Sequence, residues 1–329
     1  MNFLIIGFGS VGKRHAQNLR ELGISCLIVE PNMKKHTEAI NDGYVAFNDL
    51  NQIGSNYSFD AVLVCSPPAF HIEQAAWALE KDKSVFLEKP VGLNLKESKK
   101  LLSYDHSKVF VGYTYHWNPQ FLKLKSSIES DLVGKPYYAS FNIGMNLEDW
   151  HPWENYRNFF MSSYKLGGGA LLDESHFIEL AIDLFGLPKK IFSTQTKISN
   201  LEIETDDYVF AQFQYHELIV DVKLDLFKRP HESHIQIHGS AGSMNCDFIE
   251  KTNSLITSTT YANYRLHSET FVYERNEVFK NMMIDFSSFV SSQNKIAKVS
   301  FLRGLEVMFL IDKIRKGSMK KNWITVGVP

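Results

Sequence analysis

The sequence predicts an α/β protein with a doubly wound parallel sheet followed by an α+β domain with an open, mostly antiparallel sheet. Short, wholly apolar runs alternate with helix-like segments through the first third of the chain, as in buried parallel strands joined by crossover helices. After residue 118, strand-like runs follow one another with few helices between them, which favours antiparallel pairing. We therefore expect domains at 1–118 and 119–329, with the C-terminal helices free to pack back on the first.

Composition excludes several classes of function. A formal charge of −2 over 329 residues provides no electrostatic basis for binding nucleic acid or an anionic membrane. No apolar run approaches the roughly 20 residues that cross a bilayer, and the apolar N-terminus is typical of a strand, not of a signal peptide. The three cysteines include no Cys-x-x-Cys pair, so we expect neither a metal site nor a disulfide framework. A reducing cytoplasm is the expected location.

The elements of the first domain follow in chain order. The run 3–6 is wholly apolar, as expected of a strand buried on both faces. The later strands are short apolar runs bounded by turn residues, and the helices repeat apolar side chains every three or four residues. The predicted strands are 3–6, 25–29, 61–64, 84–87 and 109–111, and the predicted helices are 13–22, 70–80 and 95–102.

A glycine-rich turn separates the first strand from the first helix. Its sequence is Gly7-Phe8-Gly9-Ser10-Val11-Gly12. In this context Gly7 allows a tight turn, Gly9 lets the backbone approach a pyrophosphate, and Gly12 allows close packing of helix and strand. The phosphates then lie at the positive helix terminus, and the sequence predicts a dinucleotide site.

The end of the second strand bears on the choice of dinucleotide. Glu30 follows this strand about twenty residues after the glycines, where a carboxylate accepts hydrogen bonds from ribose hydroxyls and repels a 2′-phosphate. NAD is therefore favoured. NADP stays possible, because Lys34 and Lys35 are near enough to pair with a phosphate, although both also suit a solvated helix.

Two further strand ends bring polar residues to the carboxyl edge, where open α/β sheets bind ligands. Cys65, Ser66 and Pro67 follow the strand 61–64 and are expected beside the cofactor. His71 either touches ribose or substrate there or has a structural partner at its helix entry. Glu88-Lys89-Pro90 follows the strand 84–87. Since proline restricts the preceding residue to extended conformations, Lys89 points in one direction and can donate a proton.

The second domain is predicted to be rich in strands. A turn at Gly239–Gly242 joins two of them, and no repeat or low-complexity linker interrupts the chain. The predicted strands are 136–145, 190–198, 208–215, 218–226, 234–238 and 243–248, and the predicted helices are 120–129, 177–185, 276–291 and 301–316.

Two segments of the second domain contain candidate site residues. Gly167–Gly169 leads into Asp173 and His176, which are three residues apart and so predicted to share one helical face. His176 suits a general base oriented by a carboxylate, while the alternative is a dipole-stabilising aspartate and a packed histidine. The second segment is a polar, aromatic loop, which either recognises an anionic sugar or is a surface loop. The candidate substrate contacts are Trp153, Tyr156 and Arg157 in this loop, with His116, Trp117 and Asn118 near the domain junction.

Taken together, these motifs resemble the glucose–fructose oxidoreductase, inositol dehydrogenase and rhizopine catabolism family of NAD(P)-dependent dehydrogenases. The resemblance covers most of the chain, including the glycine turn with Lys13-Arg14-His15, Cys65–Pro68, Glu88–Pro90, Tyr113–Pro119 and Gly167–His176. It implies a Rossmann domain, cofactor contacts that include Arg14 and Glu88, and Lys89, Asp173 and His176 around the nicotinamide. It also implies a homodimer or homotetramer formed through the C-terminal sheet.

The implied activity is oxidation of a secondary alcohol of a sugar, cyclitol or nucleotide sugar. In many members of the family the aspartate stands four residues before the histidine, whereas here the interval is three. Glu179, one turn beyond His176, is therefore an alternative partner to Asp173. Two other functions stay open at this point: elimination or glycoside cleavage with a recycled cofactor, and a sensor on the same fold that lacks catalysis.

Overall fold

The computed structural model describes residues 1–54, 56–150, 152, 154–249, 256–263, 265–292 and 296–328. The strands are β1 (Asn2–Ile6), β2 (Ser25–Val29), β3 (Val45–Phe47), β4 (Ala61–Val64), β5 (Ser84–Leu87), β6 (Val109–Val111), β7 (Pro136–Gly144), β8 (Lys190–Thr196), β9 (Tyr208–Gln214), β10 (Ile219–Asp225), β11 (Glu232–Gly239), β12 (Gly242–Asp247), β13 (Ile256–Ala262), β14 (Arg265–Phe271) and β15 (Ile324–Thr325). The α-helices are α1 (Ser10–Glu21), α2 (Met33–Asn41), α3 (His71–Glu80), α4 (Leu95–Ser98), α5 (Pro119–Glu129), α6 (Leu147–Trp150), α7 (Ala170–Asp173), α8 (His176–Phe185), α9 (Arg275–Ser291) and α10 (Phe301–Lys320).

The chain divides into two compact units. The first comprises Met1–Thr114 with Arg275–Leu305, and the second comprises Tyr115–Glu274 with Glu306–Pro329. The sequence-based boundary at 118 assigns 275–305 to the second domain, whereas the structure assigns this segment to the first unit. The physical reason is aromatic packing. Phe286 of α9 lies edge-on against Phe3, Phe86 and Phe110, with ring centroids 5.4–5.7 Å apart.

The first unit contains a six-stranded sheet in the order β3-β2-β1-β4-β5-β6 with every pair parallel. All four residues of β4 and of β5 are buried, which confirms the predicted doubly wound sheet and explains its continuous apolar runs. The chain crosses from one side of β1 to the other between β3 and β4. Such a switch point opens a crevice at the carboxyl edge of the sheet.

The second unit contains a nine-stranded sheet in the order β14-β13-β12-β11-β7-β10-β9-β8-β15. Only the β7–β10 pair is parallel among its described strands, which confirms the mostly antiparallel prediction. Buried and half-buried residues alternate along β9 and β10. The buried side chains, such as Phe213 and Val222, each contribute about 1.5–3 kcal/mol through burial.

Several elements differ from the sequence prediction. The pattern at 95–102 forms α4 only to Ser98 and continues as a 3-10 turn over Lys99–Ser103. Strand β3 is not predicted from the sequence, because this edge strand has three residues and none is buried. α6, β13, β14 and β15 are not predicted either, whereas α2 agrees with the solvated helix considered for Lys34 and Lys35. Within the described part of the chain, no helix combines the length and apolar character needed to span a membrane.

Candidate cofactor and catalytic sites

The candidate cofactor site lies at the carboxyl edge of the parallel sheet. Gly7, Glu30, Cys65 and Glu88 each follow directly on a strand. Because the strands are parallel, these residues line one edge. Backbone hydrogen bonds hold three of them in register: Gly7 N to Val29 O (2.8 Å), Cys65 N to Ile6 O (2.8 Å) and Glu88 N to Val64 O (3.0 Å).

The three glycines of the turn fit the needs of a dinucleotide. Gly7 has φ +96°, and a Cβ on Gly12 would lie 2.0 Å from Gly7 O, so the chain packs too closely there for a side chain. Gly9 differs, because a Cβ there would meet only the Lys35 ammonium, 3.8 Å away. Its backbone is therefore open to a phosphate at the N-terminus of α1.

The other turn residues contribute mainly their backbone. The Phe8 side chain is buried and packs edge-on against Tyr44, while Ser10 is exposed and Val11 is half-buried.

Glu30 joins the turn to the second strand. Its Oε2 accepts a hydrogen bond from Phe8 N at 2.7 Å, and its Oε1 accepts one from Asn32 N at 2.8 Å. A carboxylate has further acceptor capacity on both oxygens, so Glu30 can also receive ribose hydroxyls. The residues therefore fit NAD. Lys35, near Gly9, provides a positive charge that a 2′-phosphate could use.

Arg14 has a packing role. Its guanidinium lies 4.5 Å from the centroid of the Phe279 ring. Burial lowers the pKa of Arg14, with a further contribution from the nearby Arg275. A direct contact between Arg14 and the cofactor stays a prediction.

Glu88 links the first helix to Lys89. Its Oε1 lies 2.8 Å from Nε2 of the fully buried His15, and its Oε2 accepts a hydrogen bond from Lys89 N at 3.3 Å. His15 stands on α1, just after the glycine turn. The cofactor turn and the backbone of Lys89 are thus joined through one carboxylate, while the Lys89 side chain is partly exposed.

His71 connects two loops of this edge. Its Nδ1 lies 2.8 Å from Pro90 O, and its Nε2 lies 2.7 Å from Ser66 O. Burial lowers the pKa of His71, and a neutral imidazole has a single N–H, so it donates to one carbonyl at a time. Of the two roles open from the sequence, these contacts support the structural one.

Cys65 and Ser66 stand beside the turn. Burial raises the pKa of the Cys65 thiol well above its ordinary value, and Glu88 adds to this effect, so the group is a thiol near neutral pH. The Ser66 hydroxyl donates to Gln74 Oε1 at 2.6 Å. Pro67 precedes a 3-10 turn over Pro68–Phe70 that leads into α3.

In the second unit, Asp173 and His176 belong to different helices. Asp173 ends α7 and His176 begins α8 after a turn at Glu174 and Ser175. The prediction that one continuous helix presents both on one face is therefore wrong. The spacing rule applies to an unbroken helix, whereas here a two-residue turn separates α7 from α8.

His176 differs from its neighbours in exposure. In the stretch 167–182, all of which the structure describes, His176 is half-buried and every other residue is buried. Asp173 is 6% exposed. His176 is thus a half-buried residue within an otherwise buried segment.

Tyr115 contacts His176 and is not among the site residues predicted from the sequence. The two rings meet edge-on with centroids 5.4 Å apart, and Tyr115 also packs against Phe177 and Phe248. Its hydroxyl lies 3.3 Å from Ser233 Oγ. The aromatic run at 113–117 was the available signal, but the fold alone shows which of its rings meets the histidine.

Glu179 has a histidine partner other than His176. Both of its carboxylate oxygens lie within 3.0 Å of His116 Nε2, and its side chain is fully buried. Together with Asp183, these two residues form a group whose ligand atoms lie within 4.8 Å of one another and could hold a metal. The Lys125 ammonium, 2.9 Å from Asp183 Oδ2, already balances part of this charge.

The remaining candidate substrate residues have structural contacts. Trp117 is buried, and Asn118 caps α5 and donates to the Tyr273 hydroxyl at 2.6 Å. The Tyr156 hydroxyl accepts from Glu202 N, and Arg157 pairs with Glu202 at 2.8 Å beside an open cavity of about 440 Å³. Trp153 lies outside the described residues. Substrate contact by this set stays a prediction.

Comparison with known proteins identifies the family. Residues 1–113 match the family model described as "Oxidoreductase family, NAD-binding Rossmann fold", and residues 121–245 match the "GFO/IDH/MocA C-terminal domain". The chain belongs to this family. It is an NAD(P)-dependent oxidoreductase, as the sequence motifs predict.

Relatives in the Gfo/Idh/MocA family include several cyclitol dehydrogenases. The chain is 25% identical over 275 residues to myo-inositol 2-dehydrogenase of Thermotoga maritima, covering 78% of each. It is 26% identical to the NADP⁺-dependent scyllo-inositol 2-dehydrogenase IolU of Bacillus subtilis, covering 63% of this chain and 62% of that protein.

Solved structures share the fold over the full chain. A levoglucosan dehydrogenase in complex with NADH and levoglucosan superposes with a TM-score of 0.86 at 19% identity, covering 100% of both chains. The WlbA dehydrogenase from Bordetella pertussis, in complex with NADH and UDP-GlcNAcA, has a TM-score of 0.81 at 18% identity, covering 100% of this chain and 99% of that one.

Proposed function

We propose that this Gfo/Idh/MocA oxidoreductase transfers a hydride between NAD(P) and a secondary alcohol of a sugar, cyclitol or nucleotide-sugar derivative. The observation that carries the proposal is the partial exposure of His176 in an otherwise buried segment. Relatives named for inositols and structural neighbours that hold levoglucosan or a nucleotide sugar support the substrate class.

The nicotinamide, when bound, supplies the hydride acceptor or donor. The glycine turn and Glu30 are the residues that hold the dinucleotide. The protein must also orient the substrate and move one proton. His176 is the base that takes the proton of the reacting hydroxyl, and Asp173 orients its ring.

Lys89 acts on the reacting oxygen as a charged donor. Its ammonium stabilises negative charge that develops on this oxygen during oxidation, and it polarises the carbonyl in the reverse direction. The carboxylate of Glu88 restrains the backbone of Lys89 through the 3.3 Å hydrogen bond. Arg157 is the candidate contact for an anionic group of the substrate, with the Glu202 pair giving way on binding.

A homodimer or homotetramer in the cytoplasm is the proposed assembly. The nine-stranded sheet supports this, because half-buried side chains such as Tyr138 and Phe210 lie on the face opposite its buried side chains. Light scattering on the wild type and on Phe210→Asp tests the assembly. A monomeric wild type overturns it.

Oxidation of a substrate panel tests the function. The purified protein is mixed with NAD⁺ or NADP⁺ and with myo-inositol, scyllo-inositol, levoglucosan or UDP-GlcNAcA, and net formation of NADH or NADPH is followed by absorbance. We expect net reduced cofactor with at least one of them. Turnover without net reduced cofactor indicates elimination with a recycled cofactor and contradicts the proposal.

A further inference from the structure

A buried carboxylate outside every motif of the sequence analysis contacts the segment that carries Asp173 and His176. Asp206 precedes β9 and is 4% exposed. Its Oδ2 accepts a hydrogen bond from Leu171 N at 2.9 Å, and its main-chain oxygen accepts one from Ala170 N at 3.0 Å. Both donors belong to the first turn of α7, where helix N–H groups lack intrahelical partners.

The cap residue of α7 cannot perform this task itself. Position 169 is glycine, with no side chain to accept a first-turn N–H. Its φ is +106°, and a Cβ there would lie 2.5 Å from Asp206 Oδ1. The close approach of Asp206 therefore excludes a side chain at 169 and replaces the missing local cap from 35 residues away.

Asp206 is itself held in place. Gln195 Nε2 donates to its Oδ1 at 2.9 Å, and Gln195 N donates to Ser318 Oγ at 2.8 Å. Burial raises the pKa of Asp206, while the bonds from Leu171 and Gln195 and the charge of Arg315 favour the ionised form. A carboxylate anchored to β8 and α10 thus determines where α7 begins.

Backbone hydrogen bonds connect the first turn of α7 to Asp173 and Glu174. Asp173 N donates to Gly169 O and Glu174 N to Ala170 O, both at 3.0 Å. His176 follows within two residues, at the start of α8. A shift of the first turn of α7 would move Asp173 directly and His176 through the turn between the helices.

We propose that Asp206 is a positioning residue of this oxidoreductase, which sets the place of Asp173 and His176 by capping α7 at long range. The proposal rests on the proposed roles of these two residues. Misplacement of reacting groups by about 1 Å can cost about a hundredfold in rate. The expected signature is loss of turnover with cofactor affinity retained, because the cofactor residues belong to the first unit.

The adjacent aspartate provides a matched control. Asp207 is fully buried and accepts hydrogen bonds from Ile198 N (2.8 Å) and from the backbone and hydroxyl of Ser199 (3.0 and 2.5 Å). It therefore resembles Asp206 in burial and bonding but holds a different loop. Asp207→Ala reports the cost of removing a buried carboxylate from this part of the fold.

The experiment measures kcat on an accepted substrate, the NADH dissociation constant and the melting temperature. We expect kcat to fall by about ten- to a hundredfold in Asp206→Ala, to stay near the wild-type value in Asp206→Asn, which keeps an acceptor oxygen, and to stay within about threefold in Asp207→Ala. Should Asp206→Ala fail to fold, Asp206→Ser takes its place, since the shorter side chain cannot reach Leu171 N.

Equal losses of kcat in Asp206→Ala and Asp207→Ala overturn the proposal. Wild-type kcat in Asp206→Ala, or in Asp206→Ser where that variant takes its place, overturns it as well. His176→Ala is measured alongside. Wild-type turnover in that variant overturns the proposed function itself, whereas impaired His176→Ala with unimpaired Asp206→Ala overturns the positioning role alone.

Discussion

The two segments proposed to act in catalysis are held in different ways. Lys89 follows a buried strand of a parallel sheet and is restrained by a carboxylate next to it in sequence. His176 follows a glycine-rich turn and a four-residue helix, which is capped by Asp206, a residue just before the distant strand β9. The place of Lys89 at the sheet edge follows from the strand before it, although Glu88 also contacts His15, far away in the sequence, whereas the start of α7 has no local side-chain cap. Loss of a distant partner should therefore displace His176 more than Lys89.

Among the glycine variants, the largest effect is expected at Gly12. In Gly12→Ala the new Cβ would lie 2.0 Å from Gly7 O, a backbone atom that cannot move alone. Overpacking of this kind costs about 1–3 kcal/mol, so we expect a lower melting temperature and NADH binding weakened by about tenfold or more. Calorimetry measures the melting temperature, and fluorescence titration measures the affinity for NADH.

Gly9→Ala is the matched control for this change. The new Cβ lies in open space apart from Lys35, so the melting temperature should stay at the wild-type value while NADH binding weakens. Normal NADH affinity in both variants would show that the turn is not the phosphate site.

A smaller effect, on turnover alone, is expected at Gly169. Gly169→Ala places a Cβ 2.5 Å from Asp206 Oδ1 at φ +106°, which displaces the cap of α7. We expect kcat to fall by about tenfold or more with the NADH dissociation constant unchanged. Gly186→Ala is the control, because this glycine also has positive φ (+71°) but an open surrounding. Both variants bear a backbone strain of about 1–3 kcal/mol, so equal kcat values in the two would remove the link between the cap and turnover.

The difference between the Lys89 segment and the His176 segment also determines which features could be predicted from the sequence. Strands β1, β4 and β5 are apolar runs that end at glycine, cysteine and glutamate, so their carboxyl ends, and with them Gly7, Cys65 and Lys89, follow from pattern alone. The partner of Glu179 does not follow from the sequence pattern, because its pairing with His116 spans 63 residues. The break between Asp173 and His176 does not follow from it either, because the interval of three residues is the same whether the helix is continuous or interrupted by a turn. Asp206 has no motif at all, and only its contacts across the fold identify it.

The smallest effect is a pH dependence of stability through His71. Its pKa is lowered in the folded protein from an ordinary value of 6.5, so the unfolded chain binds more protons as the pH falls through this value. The free energy of unfolding should therefore decrease below about pH 6.5. His71→Gln, which does not titrate, should lack this part of the decrease. Urea unfolding between about pH 5 and pH 8 compares the two, and parallel curves would contradict the prediction.

The most direct test of the account compares Lys89→Ala and His176→Ala with the wild type in one assay of turnover and NADH affinity. Lys96→Ala and His216→Ala, at exposed positions, serve as controls. Proton transfer and charge stabilisation contribute about a hundredfold or more to rate. The account predicts that both site variants lose about this much turnover while their NADH dissociation constants stay within about twofold of wild type. Full turnover in either site variant would contradict it.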